Sequence, residues 1–241
     1  MEMRDKIKSI LKLLEELFFP AICEGCGEVG CYLCDRCVAQ QISIRKSQQC
    51  HVCKRNMKEG LVHKKCVSGT NLDGVFIAAD YSKFIENYLG DIKYEFYYKM
   101  IDDLVKVFQK VFEKESIFHK ILEDSVLTFV PLHTRRKRWR GFNQAELIAK
   151  QLSDLWRIDS AKLLERRRKT KSQVGLKRKE RLENLKGAFE IGDGEIAKWL
   201  NGRSVIIVDD VMTSGGTLEE CALELKKAGV GKVYGLVVAR G

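Results

Sequence analysis

The chain has 241 residues, 45% of them hydrophobic and 32% charged, which is the composition of a globular protein that buries a core. The longest apolar run near the start, 17–22, is too short to span a bilayer, and the acidic residues within 1–22 are unlike a signal peptide. We therefore expect a cytoplasmic protein without a transmembrane segment, in which a reducing environment favours metal binding over disulfides for the nine cysteines.

Residues 1–22 form the first predicted unit, an amphipathic N-terminal helix. Over 5–19, apolar residues recur at helical spacing on one face while lysines and glutamates occupy the other. Such a face needs a partner, so we expect this helix to pack on the body of the protein or on another protein. The apolar positions are Ile7, Ile10, Leu11, Leu14 and Leu17.

Residues 23–70 form the second predicted unit, which holds eight of the nine cysteines. Two residues between ligands let a tight turn aim both at one tetrahedral ion, so four such pairs are enough for two structural Zn²⁺ ions. Pairing in sequence order gives one site of Cys23, Cys26, Cys34 and Cys37 and another of Cys50, Cys53, His63 and Cys66. Interleaved pairing is an alternative, and an iron–sulfur cluster suits the histidine less well. Cys31 is an additional cysteine outside these pairs, and it could compete for the metal ion of the first site.

Residues 71–241 form the third predicted unit, in which strands alternate with helices. That alternation indicates an α/β fold with a doubly wound parallel sheet. Strands are predicted at 75–79, 126–131, 163–164, 188–191, 205–208 and 233–238, and helices at 85–114, at 143–156 and from Leu218 onward.

A basic loop is predicted between the second strand and the helix that follows it. Within 131–187 there are 18 lysines and arginines against 6 aspartates and glutamates, so this segment alone exceeds the net charge of +10 of the whole chain. Such a concentration favours polyanions such as pyrophosphate or nucleic acid. Guanidinium groups suit bidentate contact with phosphate oxygens, and Trp139 and Phe142 could stack on a base or simply pack.

The segment from Ser204 to Thr217 contains most of the functional information in this chain. The β-branched run 205–208 is typical of a strand buried on both faces, and Asp209 and Asp210 stand at its predicted end. Small hydroxylated residues and glycines follow, able to turn backbone N–H groups and hydroxyls toward a phosphate at a helix N-terminus. The carboxylates could accept hydrogen bonds from ribose hydroxyls or hold the water shell of Mg²⁺. The predicted phosphate-binding residues are Thr213, Ser214, Gly215, Gly216 and Thr217.

This segment closely resembles the phosphoribosyl-pyrophosphate (PRPP) signature of type I phosphoribosyltransferases, although Ser214 and Gly216 depart from its commonest form. The resemblance implies that Asp209 and Asp210 are catalytic-site carboxylates that bind ribose and Mg²⁺. It also implies that Arg135 and Arg136 bind pyrophosphate. A polar, basic segment at 169–187 resembles the loop that closes over PRPP in these enzymes. Lys177 and Arg178 are the candidate PRPP ligands within this segment.

The whole pattern from Cys23 to Arg240 resembles the ComF (competence protein F) family. The resemblance rests on the double zinc-ribbon spacing, the Arg-Gly-Phe-Asn-Gln run at 140–144, the polar segment ending at 187–189 and the PRPP-like loop. His63 stands where cysteine is more usual. The family implies a phosphoribosyltransferase-like domain and a role in natural transformation through the handling of incoming single-stranded DNA. Arg138, Trp139 and Arg140 are the candidate DNA contacts.

Three functions follow from these features. The leading hypothesis is a phosphoribosyltransferase-like protein that binds PRPP and single-stranded DNA and works with DNA-uptake or recombination proteins. The second is a metabolic phosphoribosyltransferase that transfers phosphoribose to a base or amine; few residues follow the last predicted strand, so the zinc module is the candidate hood over the acceptor. The third is a PRPP sensor without turnover.

Overall fold

The computed structural model describes Leu17, Phe18 and residues 20–45, 47–57, 60–94, 99–168, 183–192, 200 and 202–241. Most of the predicted N-terminal helix therefore lies outside the described residues. Among the helices that the structure describes, none has the length and apolar content to cross a membrane.

A four-stranded parallel sheet forms the centre of the molecule, in the order β1-β6-β5-β2. Its strands are β1 (Gly74–Asp80), β2 (Ser125–Phe129), β5 (Ser204–Met212) and β6 (Val233–Arg240), and a short antiparallel pair is formed by β3 (Leu164–Arg166) and β4 (Phe189–Ile191). The helices are α1 (Asp35–Gln41), α2 (Lys83–Tyr94), α3 (Met100–Phe112), α4 (Ser116–Glu123), α5 (Thr134–Arg140), α6 (Gln144–Trp156) and α7 (Gly216–Lys227). A 3₁₀ helix spans Lys64–Gly69.

The two faces of the sheet are covered by separate hydrophobic cores, which confirms the doubly wound α/β fold. On one face, α2, α3, α4 and α6 pack around fully buried aromatic rings such as Phe76, Phe108 and Phe118. On the other face, α7 packs with β3 and β4 through residues that include Leu164, Phe189 and Leu218. The strands between them are buried on both sides, which is why their sequences lack polar alternation.

The cysteine-rich segment packs on the first core and on the edge of the sheet. Its Leu33 and Val38 belong to that core, and Asp103 of α3 accepts the backbone N–H groups of Tyr32 and Leu33 at 2.9 and 3.0 Å. At the free edge of β1, the Gln48 side chain exchanges two hydrogen bonds with the backbone of Ile77, at 2.9 and 3.0 Å. This contact satisfies backbone groups that an edge strand otherwise leaves open to pairing.

Three predictions about secondary structure need correction or division. The strands at 163–164 and 188–191 exist, but they form their own antiparallel pair instead of joining the parallel sheet. The basic loop is largely a helix, α5, because the His133 ring accepts the N–H of Arg135 at its start and Gly141, with φ of 81°, ends it. The helical stretch 85–114 is described as α2 and α3, with 95–98 outside the described residues.

Candidate functional site

The carboxyl end of β5 places the two aspartates at the edge of the sheet, but the strand does not stop there as predicted. The neighbouring β2 ends at Phe129, which pairs with Val208. On its other side β5 stays paired with β6 as far as Met212 and Arg240, so pairing continues past the aspartates. Asp209 and Asp210 therefore lie on an extended stretch that only one neighbour covers.

The predicted phosphate-binding loop follows directly and leads into α7. Gly215 is the N-cap of α7 and has φ of 81°, and a Cβ at this position would lie 2.7 Å from Cε of Met212. Both facts favour glycine here. Thr213 is exposed, whereas Ser214 and Thr217 are half-buried. Because the first turn of a helix has N–H groups without intrahelical acceptors, this loop offers an anion backbone donors and positive potential.

Asp209 and Asp210 have different surroundings although they are adjacent. Burial and the charge of Asp210 raise the pKa of Asp209, whose Oδ1 accepts the N–H of Asp210 at 2.9 Å. Burial also opposes ionisation of Asp210, but Lys93, Gln144 and the Val211 N–H hold its pKa below the usual value. Asp210 is thus fixed as a carboxylate by the protein, and Asp209 is the half-buried carboxylate beside it.

A buried polar network supports Asp210. Its Oδ2 forms an ion pair with the Lys93 ammonium on α2 and accepts the side-chain N–H of Gln144 at 3.0 Å. Gln144 in turn accepts a hydrogen bond from Arg140, which is only 7% exposed. Arg140, predicted as a DNA contact, is therefore directed into the protein, where it orients Gln144.

The exposed surface of α5 presents the other basic residues predicted as ligands. Arg135, Arg136 and Arg138 are exposed on this helix, and Trp139 is 60% exposed, although indole usually packs inside a protein. The structure thus divides the predicted DNA-contacting group into surface residues (Arg138 and Trp139) and an interior one (Arg140).

Arg166 at the end of β3 was not predicted and lies near both α5 and the aspartates. Burial and the neighbouring Arg136 lower the pKa of Arg166, while the charge of Asp209 acts in the opposite direction. Its guanidinium carbon lies 5.3 Å from the ring centroid of Phe189 on β4.

Lys177 and Arg178 lie outside the described residues, so their predicted role as PRPP ligands stays a prediction. At the described ends of that segment, Arg168 donates to the carbonyl oxygens of Asn184 and Lys186 at 3.1 and 2.7 Å. These bonds join the two chain ends that flank 169–182.

The eight predicted metal ligands form two groups, in the sequential pairing. Within each group the ligand atoms lie within 4.8 Å of one another, and the groups are Cys23, Cys26, Cys34, Cys37 and Cys50, Cys53, His63, Cys66. Sulfur ligands around tetrahedral Zn²⁺ stand about 3.8 Å apart, and Sγ of Cys26 lies 3.7 Å from Sγ of Cys34. In the second group it is Nδ1 of His63 that faces Cys53, at 3.1 Å.

The backbone around Cys23 suits a thiolate that binds a metal ion. Burial opposes ionisation of Cys23, yet backbone N–H groups of Cys34, Gly25 and Cys26 bring the pKa of its thiol down to about 6. A Cβ on Gly25 would lie 2.5 Å from Sγ of Cys37, so the two turns approach closely. Cys31 is not a member of the first group, which removes the predicted competitor.

A cavity of about 740 Å³ lies between the cysteine-rich segment and the sheet edge. Glu24, next to the first cysteine, forms part of one wall, and Tyr81 and Val211 at the ends of β1 and β5 form another. Phe84, Asp91 and Lys93 of α2 complete it, the last of these being the partner of Asp210. Burial and the charge of Asp91 raise the pKa of Glu24, so negative charge is concentrated at this cavity.

Four residues of this region were not predicted as site residues. Lys93, Gln144, Arg166 and Glu219 come from four different elements, and only the fold places them near β5 and α7. Gln144 had a signal, since it ends the Arg-Gly-Phe-Asn-Gln run. The other three are single charged residues in ordinary helix or strand patterns.

Comparison with known proteins agrees with this geometry. Residues 139–240 match the phosphoribosyl transferase domain family. The chain is 36% identical over 123 residues to competence protein F of Haemophilus influenzae, covering 51% of this chain and 53% of that protein. It is 40% identical over 115 residues to the DNA utilization protein YhgH of Escherichia coli, covering 46% and 47%.

The chain thus spans about half the length of these curated relatives. A weaker match runs over nearly the whole chain: competence protein ComFC of Bacillus subtilis is 26% identical over 234 residues, which cover 85% of this chain and 92% of that protein. The parallel sheet, the loop after β5 and the paired cysteine groups agree with these matches. Together they support a phosphoribosyltransferase-like protein of the ComF family.

Proposed function

We propose that the protein binds PRPP with Mg²⁺ at the carboxyl end of β5 and handles single-stranded DNA in natural transformation. The first part is supported by one observation: Asp209, Asp210 and the 213–217 loop lie together at an open edge of a parallel sheet. Ligands of such sheets bind in the crevice outside the carboxyl ends of the strands. The names of the relatives, competence protein and DNA utilization protein, support the second part.

In this proposal the residues have separate tasks. The loop holds the 5-phosphate, Asp209 accepts from the ribose hydroxyls, and Asp210 is kept in place by Lys93 and Gln144. Arg135, Arg136 and Arg166 offer positive charge to the pyrophosphate, together with Lys177 and Arg178. Mg²⁺, when bound with PRPP, neutralises part of the pyrophosphate charge. Any transfer would then depend on positioning and charge stabilisation, without a covalent intermediate on the protein.

Both cysteine groups are proposed to hold structural Zn²⁺. Each provides four sulfur or imidazole ligands, which closes the coordination sphere and leaves no position for substrate. We also propose the division into an N-terminal helix (1–22), a zinc module (23–70) and a phosphoribosyltransferase-like domain (71–241). The packing of Leu33 and Val38 in the first core indicates that the zinc module does not move independently of that domain.

The DNA-binding surface is proposed on α5, where exposed arginines flank an exposed tryptophan. Replacing Arg138 with Gln keeps helix propensity but removes one charge. Each lost phosphate contact lowers the salt slope of single-strand binding by about 0.7, so this variant should lose about 0.7 from the slope. Replacing Trp139 with Ala should weaken binding roughly tenfold without changing the slope, because stacking contributes about 1–3 kcal/mol per base.

The measurement is fluorescence anisotropy of a labelled single strand across a salt series, with and without PRPP–Mg²⁺. Lys150→Gln is the matched control, since Lys150 is an exposed cation that belongs to α6 and not to α5. Wild-type protein that does not bind at low salt contradicts the DNA-handling proposal. Equal losses in the Lys150 variant and the α5 variant contradict the location of the surface.

The cavity beside Lys93 favours a second candidate function, transfer of phosphoribose to a small acceptor. In the enzyme hypothesis the zinc module covers the acceptor. The cavity fits that arrangement because Glu24 of the zinc module forms part of its wall. Its carboxylates favour an acceptor with an amino group over an anionic one. Asn87 is exposed in the cavity wall, so Asn87→Trp would fill the space without touching the 213–217 loop.

If the protein is an enzyme, pyrophosphate release from PRPP should depend on an added base or amine and should fall at least about tenfold in Asn87→Trp. Stabilisation by PRPP alone should be unchanged, and Asn87→Ala should behave like the wild type. Absence of pyrophosphate release with nucleobases and polyamines would leave the binding-only functions, the DNA-handling protein or the PRPP sensor.

A further inference from the structure

Glu219, in the first turn of α7, joins the helix behind the phosphate-binding loop to the second cysteine group. Its Oε2 accepts the backbone N–H of Asn71 at 2.9 Å, and its Oε1 lies 3.1 Å from Nε2 of His51 and accepts the hydroxyl of Thr70. Nε2 of His51 also lies 2.9 Å from the Thr70 hydroxyl. One carboxylate therefore binds groups from two separate parts of the chain.

Those two parts are the beginning and the end of the second cysteine group. His51 directly follows the ligand Cys50, and its side chain is only 4% exposed. Thr70 is the C-cap of the 3₁₀ helix Lys64–Gly69, which contains the ligand Cys66. A metal ion in this group fixes the distance between Cys50 and Cys66, and with it the positions of the groups that hold Glu219.

The other end of the connection is the phosphate-binding loop. The backbone N–H of Glu219 donates to the carbonyl of Gly215 at 2.9 Å, which is the first helical bond after the loop. A second bond reaches the same region, because Arg240, paired with Met212 just before the loop, donates to the His51 carbonyl at 3.1 Å. The loop is thus attached to the cysteine group at both of its ends.

We propose that Glu219 is a positioning residue that couples the second cysteine group to the phosphoribosyl site. Metal binding in that group and PRPP–Mg²⁺ binding at the loop then favour each other. The coupling is reciprocal, so each ligand increases the affinity for the other by the same factor. This inference rests on the proposal that the loop binds PRPP.

Glu219→Gln is the first test. The amide keeps one acceptor oxygen and places an NH₂ group at the position of the other, so the hydrogen bonds from His51 and Thr70 or the one from Asn71 are lost. With metal-loaded full-length protein, we expect the Kd for PRPP–Mg²⁺ from titration calorimetry to rise about tenfold, within the usual range of coupling between sites. Glu224→Gln, which removes the same charge from the same helix but forms its ion pair with Lys227 of that helix, should change the Kd less than about twofold.

Metal release gives a readout that a general loss of stability does not reproduce. PRPP–Mg²⁺ should slow transfer of one of the two metal ions from the wild type to a chromophoric chelator. The slowing should vanish in Glu219→Gln, and in Cys53→Ser, which lacks the second metal site. His51→Gln, which keeps an N–H donor, should retain the coupling, whereas His51→Ala should lose it.

The outcomes separate this inference from the proposed function. A wild type that PRPP–Mg²⁺ neither binds nor stabilises contradicts both. A wild type that binds PRPP–Mg²⁺ while the Glu219 and Glu224 variants behave alike contradicts the coupling only. If Glu219→Gln does not fold, as judged by circular dichroism, the His51 pair decides: equal behaviour of the Gln and Ala variants contradicts the coupling.

Discussion

Asp209→Asn and Asp210→Asn are expected to change stability in opposite directions while both abolish stabilisation by PRPP–Mg²⁺. Burial and the neighbouring Asp210 raise the pKa of Asp209. A carboxyl whose pKa is higher in the folded state than in the unfolded chain destabilises the folded state at any pH above the unfolded pKa. Asn at 209 removes this cost, so we expect the melting temperature of the ligand-free protein at pH 7 to rise by about 2–4 °C.

Asp210 has the opposite environment, because it forms the ion pair with Lys93 and accepts from Gln144. Asn at 210 leaves a largely buried ammonium without its counter-charge, which costs about 2 kcal/mol, or roughly 5 °C. Stability that comes from a lowered pKa is present at neutral pH and is lost as the pH falls through the folded pKa. The difference between the wild type and Asp210→Asn should therefore shrink in acid.

Differential scanning fluorimetry from about pH 8 down to about pH 2, which includes the range below the unfolded pKa of an aspartate, measures both effects with and without PRPP–Mg²⁺. Fluorescence anisotropy with single-stranded DNA is the control. The affinity of the two variants for DNA should equal or exceed that of the wild type. Weaker DNA binding would contradict separate sites for PRPP and DNA. Equal stability losses in both variants would contradict the different environments of the two carboxylates.

Loss of the metal from the first cysteine group is expected to unfold much of the domain. Cys23 and Cys37 are each 2% exposed and belong to the first core, together with residues of α2 and α3. Metal binding energy in such a site is folding energy, so Cys37→Ser should lower the free energy of unfolding by at least about 5 kcal/mol. Urea unfolding followed by circular dichroism measures the loss, and metal content should fall from two ions per chain to one.

Cys31→Ser is the matched control for this prediction. Cys31 lies beside the first group but is not one of its members, and burial and the Asp103 charge raise the pKa of its thiol. We expect this variant to keep both metal ions and to lose less than about 1 kcal/mol. A Cys37→Ser variant that retains two ions and wild-type stability would contradict the assignment of the first site.

Several features could be predicted from local patterns in the sequence. Apolar runs without alternation, such as 205–208, predict buried strands because side chains on both faces need apolar surroundings. The spacing of the cysteine pairs predicts metal ligands because a short turn brings both sulfurs to one point. The glycines and hydroxyls of 213–217 predict an anion site for a similarly local reason, and these predictions needed no knowledge of the fold.

Which distant residues meet depends on how the helices and strands pack against one another. Lys93 lies more than a hundred positions before Asp210, and Glu219 is separated from His51 by an even longer stretch of chain. Nothing in their local sequence marks them, because an ion pair between distant elements depends on how those elements pack. The direction of Arg140 was decided in the same way: its neighbours in α5 are exposed, and Gln144 holds it inside. Local residues thus define the chemistry available at each position, and packing across the sheet edge decides which groups act together.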